Sequence, residues 1–274
     1  MIIGGLQKFS LLDYPGKISA IVFTQGCNFR CQFCYNPMLV WPVKGSKLKY
    51  VRELIRESGR EIEQQKAHPI INQDDFFVFL KDRSGKLDAV VITGGEPCLQ
   101  KDLVEFIKKI KALGYLIKLD TNGSYPEVLA ELVKEKLIDY IAMDLKAPEY
   151  KYGEVTEVSV DFNYIHPVKS SRQAERILPV AKLFDGVKKS VKIIRASGLP
   201  YEFRTTVVPD LLDKNDINEM GKIIKGAGKW YLQNFKSQSE LVNQKLKGKV
   251  PYNSRQMNEM AEIGRKYAKI CEVR

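Results

Sequence analysis

Histidine and cysteine are scarce: the 274 residues hold two histidines and five cysteines. A histidine-rich metal site or a zinc finger therefore has few ligands to draw on. An odd cysteine count, with Cys27, Cys31 and Cys34 packed together, also argues against the disulfide framework of a small secreted domain. Apolar runs such as 76–80 and 89–92 are far too short to cross a bilayer. Residues 1–5 have neither the basic region nor the long apolar stretch of a secretory signal. A soluble, cytoplasmic protein is expected, with no membrane partner. Neither a low-complexity linker nor an internal repeat divides the chain, so residues 1–274 read as a single domain.

The charge is lopsided. There are 44 basic and 33 acidic residues, a net of +11, and residues 222–249 carry seven lysines against the single acid Glu240. A basic patch of this kind attracts nucleic acid, an acidic protein surface or an anionic ligand. Lysines spread over helices and loops more commonly form a solvated face. With no basic–aromatic RNA motif or zinc-finger spacing, nucleic acid is not expected as a partner.

The composition is that of a globular protein, with 44% hydrophobic and 28% charged residues. From residue 18 onward, short β-rich runs alternate with amphipathic stretches. Strands are expected at 18–24, 88–93, 115–121, 139–145, 203–208 and 230–235. The run at 88–93 is nearly all apolar, as suits a parallel strand covered on both faces. Leu103, Phe106, Ile107, Ile110 and Leu113 form one helical stripe stopped by Gly114. Further helices are expected at 126–137, 214–224 and 254–269, the last with Ser254 as N-cap. Six β-then-α units imply an α/β fold whose parallel sheet is open or partly rolled into a barrel. Two stretches break the rhythm: 47–66, read as an added charged helix, and the weakly periodic 148–182.

The chemistry centres on Cys27-Asn28-Phe29-Arg30-Cys31-Gln32-Phe33-Cys34, which follows the first of these strands. Thiolates at this tight spacing suit an iron–sulfur cluster or zinc. A four-iron cubane held by three cysteines keeps one iron open, and an open position signals chemistry rather than structure. Zinc would need a fourth ligand from His68, His166, Cys98 or Cys271, all distant in sequence.

At later strand ends stand Gly94-Gly95-Glu96, then Asp120-Thr121-Asn122-Gly123, then Asp144-Leu145-Lys146. Each alone is compatible with ordinary turn chemistry. Together they put carboxylates and a lysine at successive carboxyl ends of parallel strands, where such sheets bind ligands. Phe235 either stacks on a base or belongs to the core. Arg204 either faces the cleft or serves as a structural ion-pair partner. Cys98 is either a small buried hydrophobe or a thiol near the cofactor.

The cysteine motif, with Phe33 as the aromatic between its last two cysteines, resembles that of the radical S-adenosylmethionine superfamily. The resemblance implies a partial (β/α)6 barrel with outer helices, a [4Fe–4S] cluster on Cys27, Cys31 and Cys34, and S-adenosylmethionine chelated to the open iron. One electron then breaks a carbon–sulfur bond, giving methionine and a 5′-deoxyadenosyl radical. Gly94, Gly95 and Glu96 resemble the motif that holds the methionine amino group. Asp144 and Lys146 are similar to a pair in glycyl-radical-enzyme activases that meets the methionine amino and carboxylate groups. By the same likeness Asp120, Thr121 and Asp144 hold a monovalent cation. Asn122 and Arg204 line the cofactor, and Phe235 lies near the adenine. Tyr35 stands where many activases have histidine, which alters a contact beside the cluster. Residues 4–17, 144–148 and 203–209 resemble the activating proteins of anaerobic ribonucleoside-triphosphate reductases. That narrower likeness implies a glycyl radical enzyme subunit as partner and a flavodoxin-like electron donor. No catalytic side chain beyond the cluster ligands is expected. Two other hypotheses stand beside it: a radical enzyme acting on a small molecule such as a modified-purine precursor, and a metal-stabilised basic nucleic-acid-binding protein.

Overall fold

The computed structural model describes residues 1–40, 70–157 and 180–274. The expected helix at 47–66, both histidines and most of the 148–182 stretch lie outside these. The strands are β1 (Ile3–Ser10), β2 (Ser19–Thr24), β3 (Ala89–Gly94), β4 (Leu116–Thr121), β5 (Tyr140–Asp144), β6 (Tyr201–Val207), β7 (Ala227–Asn234) and β8 (Ala268–Val273). They form one open sheet in sequential order. β1 runs antiparallel to β2, and every later pair is parallel. The six expected strands are β2–β7, so the partial barrel is present and carries one further strand at each edge.

Apolar side chains on one face of the strands meet the crossover helices. Val90, Ile92, Ile117, Leu119, Ile141, Met143, Phe203 and Leu232 share a cluster with Ile107, Leu132, Val191, Met220 and Met257. The helices are those expected at Leu103–Ala112, Pro126–Lys134 and Lys214–Ile223, together with Gln73–Asp82 and Val180–Ala196, which the sequence reading did not foresee. The final helix is shorter than expected, Ser254–Gly264, because the chain turns into β8. Its N-cap is Asn253 rather than Ser254: the Asn253 side chain accepts from Gln256 N–H while the Gln256 side chain accepts from Asn253 N–H.

On the opposite face Tyr14, Ile21, Ala89, Val91 and Tyr140 make a small second cluster. Tyr14 comes from the β1–β2 turn and meets Tyr140 at 5.7 Å between ring centroids. This plugs the amino-terminal end of the sheet's inner face. The carboxyl ends of β2–β7 at the other end carry the candidate site. Of the late lysines, Lys222 pairs with Glu219, Lys247 with Glu240 and Lys249 with Asp210, in keeping with a solvated face.

Candidate functional site

The cysteine loop leaves β2 and is clamped on three sides. Asn28 donates to Ser124 Oγ at 3.0 Å and accepts from Asn122 Nδ2 at 2.9 Å, which ties the loop to the end of β4. Arg30 N–H donates to the Thr156 carbonyl at 2.8 Å, and Phe29 packs edge-on against the fully buried Tyr152. Asn243 N–H donates to the Gln32 carbonyl at 2.9 Å, and the two side chains bond to each other. Asn28, Ser124, Tyr152 and Asn243 are site residues that the sequence reading missed. Their only signal was the polar character of the loop, since their partners are far away in the chain.

Burial pushes the Cys27 thiol up to about 12, although the Phe29 N–H points at its sulfur from 3.3 Å. Burial also raises Cys31 and Cys34, opposed at Cys31 by Lys146 and at Cys34 by the Asn36 N–H, Lys146 and Arg30. Three sequestered thiols influence one another's charge and need a cation to hold them as thiolates. Among the described residues no three His, Cys, Asp or Glu side chains converge on a single-ion position. In a cubane each thiolate binds a different iron. The soft donor set, the amides aimed at sulfur and the nearby cations all fit the cluster.

Gly94 and Gly95 allow a close approach of backbone to backbone. A Cβ on Gly94 (φ +115°) would lie 2.3 Å from Thr24 N, and one on Gly95 would lie 2.0 Å from the Gly26 carbonyl oxygen. The close approach they permit is between two strands of the chain, setting the cysteine loop against this turn. Glu96 is fully buried. Its Oε1 accepts from Cys98 N–H at 3.0 Å and Thr121 Oγ1 at 2.7 Å, and its Oε2 accepts from Asn122 N–H at 2.7 Å. The carboxylate thus staples the end of β3 to the end of β4, with Cys98 buried beneath it.

A second group spans the ends of β4, β5 and β6. In the sheet register Asp144 lies opposite Arg204. Arg204 Nε donates to Asp144 Oδ1 at 2.9 Å and Nη1 to Asp120 Oδ2 at 3.0 Å, while Lys146 Nζ donates to Asp144 Oδ2 at 2.9 Å. Arg204 therefore does both things the sequence left open: it faces the cleft and it is an ion-pair partner. Burial works against the Asp144 charge, but Arg204 and Lys146 outweigh it and hold the carboxyl well below the usual range. The set is part-buried, so removing one partner costs less than the ~3–5 kcal/mol of a fully buried pair. Lys146 Nζ also lies 5.8 Å from the centroid of Phe33, which puts its charge beside the cysteine loop.

Phe235 is 2% exposed and stacks on Tyr35 with ring centroids 6.3 Å apart. Its ring is buried among core residues, the second of the two alternatives the sequence left open. The half-buried Tyr35, whose hydroxyl accepts from Lys236 N–H at 2.9 Å, is the member of the pair nearer solvent.

The family model for the radical SAM superfamily matches residues 21–225. The chain belongs to that superfamily. The cofactors of the superfamily are the [4Fe–4S] cluster and S-adenosylmethionine, and the cysteine loop described above fits the first of them. Over 268 residues, 97% of this chain and 92% of the relative, the sequence is 33% identical to a Methanocaldococcus jannaschii protein named "putative glycyl-radical enzyme activating enzyme". It is 28% identical over 229 residues to a pyruvate formate-lyase-activating enzyme of Clostridium pasteurianum, covering 81% of this chain and 76% of that one. Among solved structures, Streptococcus suis SuiB bound to its precursor peptide SuiA superposes with a TM-score of 0.55 at 15% identity, over 93% of this chain and 48% of that one. That likeness is one of fold. No helix among the described residues is long and apolar enough to cross a membrane.

Proposed function

We propose that this radical SAM protein activates a glycyl-radical enzyme by abstracting hydrogen from a backbone glycine of that partner. The observation that carries the reading is the 33% identity to that Methanocaldococcus jannaschii relative, named for glycyl-radical enzyme activation, which runs through 97% of this chain and leaves little of either protein unmatched. Within the activases, the opening segment 4–17 and residues 144–148 and 203–209 favour a ribonucleoside-triphosphate reductase subunit as partner. We place the reaction in the cytoplasm, with the electron drawn from a flavodoxin-like donor.

When bound, the cluster and S-adenosylmethionine supply the 5′-deoxyadenosyl radical. This chain's own groups bind and orient. Cys27, Cys31 and Cys34 are the ligands, held by the clamps on their loop. Lys146 offers a cation to the methionine carboxylate, and Asp144, kept ionised by its neighbours, offers an acceptor to the amino group. Glu96, Thr121 and Asn122 fix the strand ends on which these stand. Hydrogen-atom abstraction requires no general acid or base, so none is assigned.

The test is anaerobic incubation of the cluster-loaded, reduced protein with the reductase subunit and S-adenosylmethionine, read by electron paramagnetic resonance. A glycyl signal that is absent with Cys31→Ala supports the proposal. Signal only with a pyruvate formate-lyase subunit keeps activation and changes the partner. Consumption of S-adenosylmethionine without a glycyl signal from either subunit points instead to a small-molecule substrate.

A further inference from the structure

The likeness that puts a monovalent cation on Asp120, Thr121 and Asp144 does not fit this structure. Such a site needs several oxygen lone pairs free to converge on one ion. Thr121 is buried and its hydroxyl is bonded to Glu96 at 2.7 Å. Asp144 gives one oxygen to Arg204 and the other to Lys146, each at 2.9 Å. Asp120 gives Oδ2 to Arg204 at 3.0 Å, and its buried Oδ1 has no hydrogen-bond partner, the Lys118 Nζ lying 3.5 Å away. Every carboxylate oxygen in the group thus faces a side-chain cation. Arg204, Lys146 and Lys118 are three side-chain cations facing the two carboxylates of Asp120 and Asp144. Two further acids lie close by: Glu96 accepts from Thr121 Oγ1 at 2.7 Å, and Glu202 accepts from the Tyr140 hydroxyl at 3.0 Å and lies 3.5 Å from Arg274. An added ion would have to compete with these three cations for the same oxygens.

We propose that the Arg204 guanidinium is a built-in cation that takes the place of the exchangeable ion. Its planar fork reaches both carboxylates at once, which a point charge on a lysine cannot do. It locks the carboxyl ends of β4 and β5 at a fixed spacing and holds Asp144 in position without an ion from solution. Arg204 is in this sense a positioning residue. The inference rests on the reading that these strand ends flank S-adenosylmethionine, but ion binding can be measured without that cofactor.

The experiment uses the cluster-loaded protein in chloride-free buffer, with tetramethylammonium holding the ionic strength constant. Thallium(I), a potassium surrogate, is titrated in and its NMR line width followed. Separately, S-adenosylmethionine affinity is measured calorimetrically in tetramethylammonium and in potassium. Wild type is expected to show no thallium broadening that Asp120→Asn removes, and an affinity equal in the two salts to within about two-fold. Arg204→Ala is expected to bind thallium, to lose about ten-fold in affinity in tetramethylammonium, and to recover it in potassium. Thallium binding by wild type that Asp120→Asn abolishes overturns the proposal, and so does potassium-dependent affinity in wild type. A folded Arg204→Ala protein with neither thallium binding nor potassium rescue overturns it too. Should Arg204→Ala fail to fold, Arg204→Lys replaces it. One ammonium cannot span both carboxylates, so a smaller potassium gain is expected, and its absence counts against the proposal. If no variant binds S-adenosylmethionine, the cofactor reading has failed, and the thallium titration still decides the ion question.

Discussion

Gly95 sits where a methyl group has no room. A Cβ there would lie 2.0 Å from the carbonyl oxygen of Gly26, 2.6 Å from its carbon and 3.1 Å from the Leu39 oxygen. These neighbours are backbone and are bonded in place. Glu96 N–H donates to the Gly26 carbonyl at 2.9 Å, and Gly26 N–H donates to the Leu39 carbonyl at 2.8 Å. In Gly95→Ala the two segments must part by about 1 Å, because no side chain can swing away instead. Overpacking of this kind costs about 1–3 kcal/mol, and loss of one hydrogen bond adds about 1 kcal/mol. Gly85→Ala is the control. Its Cβ meets nothing within 4 Å, and its φ of +72° costs an alanine about 1–2 kcal/mol. Urea unfolding should show Gly95→Ala destabilised by about 2–4 kcal/mol. Iron content should separate the two more clearly, because Gly26 precedes the ligand Cys27: Gly95→Ala should load less iron, and Gly85→Ala should match wild type. If Gly95→Ala is as stable as the control and fully loaded, the backbone approach does not set the loop.

Two other substitutions probe the clamps. Glu96→Gln leaves one acceptor for three donors and turns an amide N–H₂ toward the Asn122 or Cys98 N–H, so it should lose about 1–3 kcal/mol in urea unfolding. Burial raises the Glu96 carboxyl above its ordinary 4.5, so its contribution is greatest below that value and declines as the pH rises through the folded-state pKa. The stability gap between wild type and Glu96→Gln should therefore narrow from pH 4.5 upward, and a gap that widens contradicts the assignment. Asn28→Ala removes the bonds to Ser124 and Asn122, worth about 1 kcal/mol each. A chelator should then strip iron faster than from wild type, and unchanged release would show the loop is not held there.

The strands β2, β3 and β5 were legible as short, dense apolar runs, and β4, β6 and β7 as β-rich stretches between amphipathic helices. β1 was not, since its Gly-Gly pair and three consecutive exposed residues match an edge strand paired on one side only. β8 was absorbed into the preceding helix because Ala268–Val273 begins within a few residues of the helix end and buries only Ala268 and Cys271. Choosing Ser254 over Asn253 as N-cap was a choice between two good capping residues, and the Gln256 side chain decides it. Helix Gln73–Asp82 was obscured by its aromatic run. At the site, cysteine spacing exposed the ligands, and successive strand ends exposed the carboxylates. The dual bond of Arg204 depends on sheet register between residues far apart in the chain, and no local pattern contains it. Phe235 shows the opposite limit: an aromatic at a strand end looks the same in sequence whether it meets a ligand or, as here, Tyr35.

The most direct test is S-adenosylmethionine cleavage by protein reconstituted anaerobically with iron and sulfide and reduced with dithionite, assayed as 5′-deoxyadenosine beside a Cys31→Ala control. The account predicts 5′-deoxyadenosine from wild type and none from the variant. A fully loaded, reduced protein that forms no product even with its partner present, or one that retains zinc in place of iron, would contradict it.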